Sequence, residues 1–175
     1  MELIKLTAEM INQDLFAQFK RHQEVSKCWR KIDGKWCIKD ILFSEDWGED
    51  EYNKLVACLK NTVTKGGVVF GAFINDALKG FSSVEPFLFG QNKEYLDLSS
   101  IHVSEDMRGS GIGKELFQLS KDWAKQHGAQ KLYISAHSSI ESQAFYRAMG
   151  CVEALEYDKE HVENEPCDCQ LEFVL

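Results

Sequence analysis

Arg108-Gly109-Ser110-Gly111-Ile112-Gly113-Lys114 joins an extended apolar stretch to a strongly amphipathic one, and its reading decides the fold. Three glycines in five residues leave the backbone N–H groups bare and able to converge, and the first turn of the helix that follows adds donors with no partner inside the helix. Such a place attracts anions. Phosphate oxygens suit it best, because the helix dipole and a nest of N–H groups favour negative charge without help from a side chain. The spacing then excludes two common phosphate binders. A dinucleotide fingerprint needs glycine at its first, third and sixth positions, and counting from Gly109 the sixth is Lys114. A Walker loop ends Gly-Lys-Ser/Thr, whereas Gly113-Lys114 is followed by Glu115, and Arg108 stands where its first glycine belongs.

What fits is Arg/Gln-x-x-Gly-x-Gly, met by Arg108, Gly111 and Gly113, which resembles the pyrophosphate loop of the GNAT superfamily of acyl-CoA N-acetyltransferases. A glycine-rich turn at a helix start is a weak signal by itself, so the flanks matter. Ile101-His102-Val103 resembles the family's apolar-x-Val strand end, five residues before the arginine, and Ala144-Phe145-Tyr146 with Met149-Gly150 resembles its second motif. Two positions depart from that motif: Ser139 stands where an Asn usually opens the short helix, and Cys151 replaces the usual apolar aromatic after its glycine. The resemblance implies an α+β fold, a central mixed and mostly antiparallel sheet of about seven strands flanked by about four helices. It implies acetyl-CoA as cosubstrate, held by Ile101, His102, Val103, Arg108, Gly109, Ser110, Gly111, Ile112, Gly113, Lys114, Ser139 and Ser142.

At 175 residues the chain suits one domain that buries roughly 70% of the surface its unfolded form exposes. Charged and apolar residues mix throughout residues 1 to 19, unlike a signal peptide, and no apolar run approaches the roughly 20 residues of a membrane span. A soluble cytoplasmic protein is expected. The six cysteines form no Cys-x-x-Cys pair, so reduced thiols are the default. Cys167 and Cys169 with His161 nearby raise the question of a metal, but alternation puts both cysteines on one strand face, where small apolar fillers are commoner, and none is expected. A net charge of -8 argues against a nucleic-acid partner, whose backbone would be repelled over most of the surface. It does not forbid a phosphate ligand held locally, since distant charge is screened beyond about 8 Å.

In chain order, residues 2 to 6 read as a strand and residues 8 to 21 as a helix, with Met10, Ile11, Leu15, Phe16 and Phe19 at three-to-four spacing. Residues 28 to 32 and 35 to 42 read as extended arms about an Asp33-Gly34 turn. A second helix is expected from Ser44, with Tyr52, Leu55, Val56 and Leu59 as its stripe, ending before Gly66. Strands follow at residues 68 to 74 and 78 to 85, joined by Asn75-Asp76, and at residues 95 to 103. The amphipathic helix after the loop closes at Gly128, and residues 131 to 136 complete a crossover unit for which parallel pairing is the default. Ser138 or Ser139 caps a short helix ending at Gly150, and residues 151 to 157 and 169 to 175 read as a final antiparallel pair whose last strand could support a homodimer.

Moving an acetyl group from a thioester to an amine requires a neutral amine, a stabilised oxyanion and a proton for the leaving thiolate. The resemblance implies that main-chain groups of residues 101 to 103 hold the pantetheine arm as an added strand would, with an N–H near Val103 facing the carbonyl. It implies that Tyr146 lies near the sulfur; a phenol of pKa near 10 serves there chiefly as a hydrogen-bond donor. Asp97 falls where some members carry a glutamate base, and His102, His137 and Glu85 are further candidates. Trp29, Trp36 and Trp47 crowd a segment that usually lines the acceptor site in the family; they are equally suited to covering the core. Two functions follow: an N-acetyltransferase acting on a primary amine of a small molecule or an exposed amino group, or a non-catalytic acyl-CoA-binding module.

Overall fold

The structure, a computed structural model, describes residues 1–175. Its elements are β1 (Glu2–Lys5), β2 (His22–Ile32), β3 (Lys35–Asp46), α1 (Glu49–Thr64), β4 (Val68–Ile74), β5 (Ala77–Val84), β6 (Tyr95–Val103), α2 (Ile112–Gln126), β7 (Lys131–Ala136), α3 (Ile140–Ala148), β8 (Val152–Glu153), α4 (Lys159–Asn164) and β9 (Cys169–Val174). Seven strands form one sheet in the order β1-β4-β5-β6-β7-β9-β8, and β2 with β3 makes a separate hairpin. Only the β6–β7 pair is parallel, as a crossover through a helix demands. The mixed, mostly antiparallel α+β architecture is the one the sequence implied. No helix is long and apolar enough to cross a membrane.

One feature of the sheet opens the cleft. β6 and β7 pair only from Tyr95, Leu96 and Asp97 to Lys131, Leu132 and Tyr133. Beyond that point β6 keeps a strand partner on its β5 side alone, and its register there slips by one residue, leaving Ser99 as an extra residue between Leu98 and Ser100. An inserted residue bends a strand and increases its local twist, which turns β6 away from β7 and opens a split in the sheet.

Helix α2 covers one face of the sheet with Ile112, Leu116, Phe117 and Trp123 buried. It lies close because Gly80 of β5 has no side chain: a Cβ there would stand 2.5 Å from Ile112 Cγ2. On the opposite face Leu6, Ile11, Phe16 and Phe19 pack with Leu59, Leu78 and Phe81. Each of the larger side chains contributes about 1.5–3 kcal/mol on burial.

Four expectations fail locally. Residues 8 to 21 hold only a 3-10 turn, Gln13–Phe16. Their backbone bonds Met10→Thr7, Ala17→Asp14 and Phe19→Phe16 are all three-residue turns, and Asn12 Oδ1 takes the Leu15 N–H. The apolar spacing is met by a coiled segment instead of a helix. β3 runs on to Asp46, which pairs with His22, so α1 starts at Glu49 with the Gly48 N–H donated to Glu51 Oε2 at 2.9 Å. The strand expected over residues 151 to 157 shrinks to two residues because the chain turns out to an unexpected helix, α4, capped by Asp158. β9 is flanked by β7 and, at Leu171 and Glu172, by β8, so the last strand is not an unpaired edge.

Candidate active site

β6 runs through a short 3-10 turn, Glu105–Met107, into the glycine loop. Gly109 and Gly111 adopt φ of 76° and 90°, and a Cβ on either would meet nothing within 4 Å. Conformation, and not crowding, therefore demands glycine at both, while the same lack of neighbours leaves the loop's surface bare. The N–H groups of Gly109, Gly111, Ile112 and Gly113 have no acceptor in the chain. Gly113 is different, since its Cβ would stand 3.1 Å from Phe145 Cε2, fixing how closely α3 approaches the start of α2. The Arg108 guanidinium donates to the His22 carbonyl and ties the loop to the hairpin.

Loop and sheet split open into one cleft of about 940 Å³. Ile101, His102, Val103, Arg108, Gly109, Gly111, Ile112, Gly113 and Lys114 line it together with Ser142, Tyr146 and Trp47. Tyr146 is 8% exposed and no group of the chain hydrogen-bonds its hydroxyl. Burial pushes that phenol well above its ordinary value, so it stays protonated and keeps an O–H to donate. His102 packs between Trp47 and Phe81, with ring centroids 4.9 and 5.2 Å away, and burial pushes it down to about 3. It is a neutral imidazole at pH 7.

Five expected residues lie elsewhere. Asp97 does not line the cleft; it points to α4, where His161 Nε2 stands 3.0 Å from its Oδ2, and its Oδ1 is buried without a partner. Ser110 turns back to donate to the Met107 carbonyl at 2.5 Å. Ser139 is fully buried, caps α3 by accepting the Ser142 N–H, and takes a bond from Gln23 at 3.1 Å. Trp29 and Trp36 line a separate pocket of about 210 Å³ beside Cys151 and Leu171. Arg147 lies 4.4 Å over the Trp29 ring, and the Trp36 indole donates to Glu153 at 2.9 Å, so both tryptophans seat the hairpin on α3 and β8. Of the other candidate bases, Glu85 is engaged by Thr62 and Ser99 at 2.6 and 3.0 Å outside the cleft.

The structure adds residues that the sequence reading missed. Arg21, its side chain 9% exposed, lines the cleft and gives Nη2 to Glu45 at 2.9 Å, while Nε and Nη1 have no partner. An unmade bond from a buried donor costs about 1–3 kcal/mol. Glu45 is shared with His137, 3.4 Å away, and the hydrogen bond to His137 holds its carboxyl below the ordinary value despite partial burial. Glu165 and Asp168, in the turn between α4 and β9, reach the same cleft. No motif marks these positions, because they come from segments far apart in the chain.

A bare anion-binding loop beside a split parallel strand pair, with a protonated phenol at the split, defines an acyltransferase. The family model for the acetyltransferase (GNAT) family matches residues 23–151, and the chain belongs to that family of N-acetyltransferases. A Bacillus anthracis str. Ames protein assigned as a streptothricin acetyltransferase, solved with acetyl coenzyme A, superposes with a TM-score of 0.72 at 17% identity over 100% of this chain and 99% of that one. Nourseothricin acetyltransferase gives 0.64 at 17% identity over 98% and 95%. The PaiA N-acetyltransferase of Thermoplasma acidophilum, in complex with coenzyme A, gives 0.61 at 14% identity over 99% and 98%. At such identities the likeness is one of fold. No curated protein matches the sequence.

Proposed function

We propose that the enzyme transfers the acetyl group of acetyl-CoA directly to a primary amine of a small molecule, with both substrates in the cleft at once. The observation that carries this reading is the set of four unpartnered N–H donors within residues 109–113, at the start of α2 and on the same cleft as the unpaired side of β6. A pyrophosphate needs such donors, and Gly109 and Gly111 leave room for it to approach the backbone. Lys114 adds positive charge at the rim. When bound, acetyl-CoA supplies an activated acyl thioester; the chain supplies placement and protons.

Main-chain groups of Ile101, His102 and Val103 serve the pantetheine arm, and an N–H of this stretch faces the carbonyl whose oxygen gains charge during attack. Tyr146 donates to the sulfur as it leaves. The amine enters from the Trp47 side of the cleft, where carboxylates at Glu24 and Glu141 favour a cation. A small-molecule acceptor is in keeping with fold neighbours named for streptothricin and nourseothricin. The six free cysteines suit a reducing compartment such as the cytoplasm.

The test is thiol release from acetyl-CoA against a panel of polyamines, aminoglycosides, amino acids and peptides, alongside calorimetry with acetyl-CoA. Saturable heat and turnover with at least one amine are expected. Heat without turnover across the panel would make the cleft a binding module instead.

A further inference from the structure

We propose that Asp168, paired with Glu165, is the catalytic residue that receives the proton of a cationic primary amine before the amine attacks. This rests on the acetyltransferase reading of the cleft and names the acceptor class and the proton acceptor within it. The two residues close one turn, with the Asp168 N–H bonded to the Glu165 carbonyl at 3.0 Å. β9 begins at the next residue, Cys169, which pairs with Ala136, so Asp168 sits level with the end of β7, past the point where β6 and β7 have parted. Both residues line the cleft.

Tyr146 supplies an independent pointer to a ligand at this place. It is 8% exposed, its hydroxyl has no partner in the chain, it lines the same cleft, and the Asp168 charge contributes to holding its phenol up. Four other candidates are engaged elsewhere: His102 is pushed too low, Asp97 faces His161, Glu45 is occupied by Arg21 and His137, and His137 spends its ring nitrogens on Glu45 and the Ser139 N–H.

Burial and then the facing Glu165 carboxylate push the Asp168 carboxyl above the ordinary carboxylate range, opposed by His137 and the Ser135 hydroxyl. Besides these, Tyr146 on α3 and the adjacent Cys169 lie within its field, and His161 feels Glu165 from α4. A carboxylate whose proton affinity is raised suits a general base better than an ordinary one. The Asp168 oxygen takes one proton from the ammonium, and the freed nitrogen lone pair forms the C–N bond as the carbonyl π pair moves onto oxygen. Collapse breaks the C–S bond, whose electron pair goes to sulfur. The nitrogen's surplus proton passes to the thiolate to give the thiol, and Asp168 releases its proton to solvent.

The experiment combines carboxyl carbon-13 NMR on the protein alone with kinetics on spermidine and lysine amide. In the NMR titration one carboxyl should titrate well above the ordinary carboxylate range, vanish in Asp168→Asn, and move to lower pH in Glu165→Gln, where the like charge is gone. In the kinetics Asp168→Asn should lower kcat/KM for the amine about 10²–10⁴-fold at pH 7 and abolish the inflection at the pH where that carboxyl titrates. Acetyl-CoA affinity should stay unchanged, and Asp168→Glu should recover part of the rate. Wild-type kcat/KM and inflection in Asp168→Asn overturn the proposal while leaving the acetyltransferase reading intact. Acetyl-CoA binding without transfer to either amine overturns the acceptor class, and no acetyl-CoA binding at all overturns both.

Discussion

His161→Gln removes the charge that holds α4 to the sheet. The imidazole lies 3.0 Å from Asp97, and the hydrogen bond to Asp97 pushes it from 6.5 up to about 9, although partial burial opposes the rise. At about 1.4 kcal/mol per pH unit this corresponds to about 3 kcal/mol of preference for the charged ring. The His161 side chain is 29% exposed and Asp97 is itself pushed up by burial, so solvent screening and the cost of the buried carboxylate reduce the stabilisation to about 2 kcal/mol. The folded value lies above the unfolded one. The stabilisation is therefore complete below pH 6.5, declines above it, and is lost as pH passes 9. For a chain of this size about 2 kcal/mol corresponds to about 4–8 °C in Tm. Calorimetric scans at pH 6 and pH 9.5 should show that gap between wild type and variant at the lower pH and its near disappearance at the higher. An equal gap at both values, or none at pH 6, would refute the reasoning. Because α4 leads into the Glu165–Asp168 turn, the variant should also raise the KM for amine more than that for acetyl-CoA.

Tyr146→Phe should lower kcat about tenfold to a hundredfold, the loss of one hydrogen bond to a charged atom at about 1.5–3 kcal/mol, with acetyl-CoA affinity held. Unchanged turnover would remove Tyr146 from the reaction. Gly80→Ala places a methyl 2.5 Å from Ile112 Cγ2 and 2.9 Å from Leu116 Cδ1. Overpacking of about 1–3 kcal/mol should lower Tm and, by shifting the start of α2, weaken acetyl-CoA binding; a wild-type Tm with wild-type affinity contradicts that packing account.

The elements legible in the sequence are those whose pattern has one structural solution. Residues 95 to 103 and 131 to 136 show the bounds of β6 and β7, and the loop between β6 and α2 is recognisable, because alternation, left-handed glycines and a helix stripe each act locally. Residues 8 to 21 misled because the spacing of Ile11, Phe16 and Phe19 records which side chains reach Phe81, not how the backbone carries them there. The site divides in the same way. Ile101, Val103, Gly111 and Tyr146 lie in motifs, whereas Arg21, Glu45, His137 and Asp168 come together only through the hairpin and the α4 turn. From sequence Trp29 and Trp36 suit an acceptor wall and a core cover equally, since composition says nothing about which side of the hairpin faces the cleft.

The most direct test of the central claim is a proton–nitrogen NMR titration of the protein with acetyl-CoA. The amides of Gly109, Gly111, Ile112 and Gly113 should move downfield together and saturate at one ligand per chain, as unpartnered donors acquire phosphate oxygens. Binding that leaves those four resonances in place, or no binding at millimolar ligand, would contradict the account.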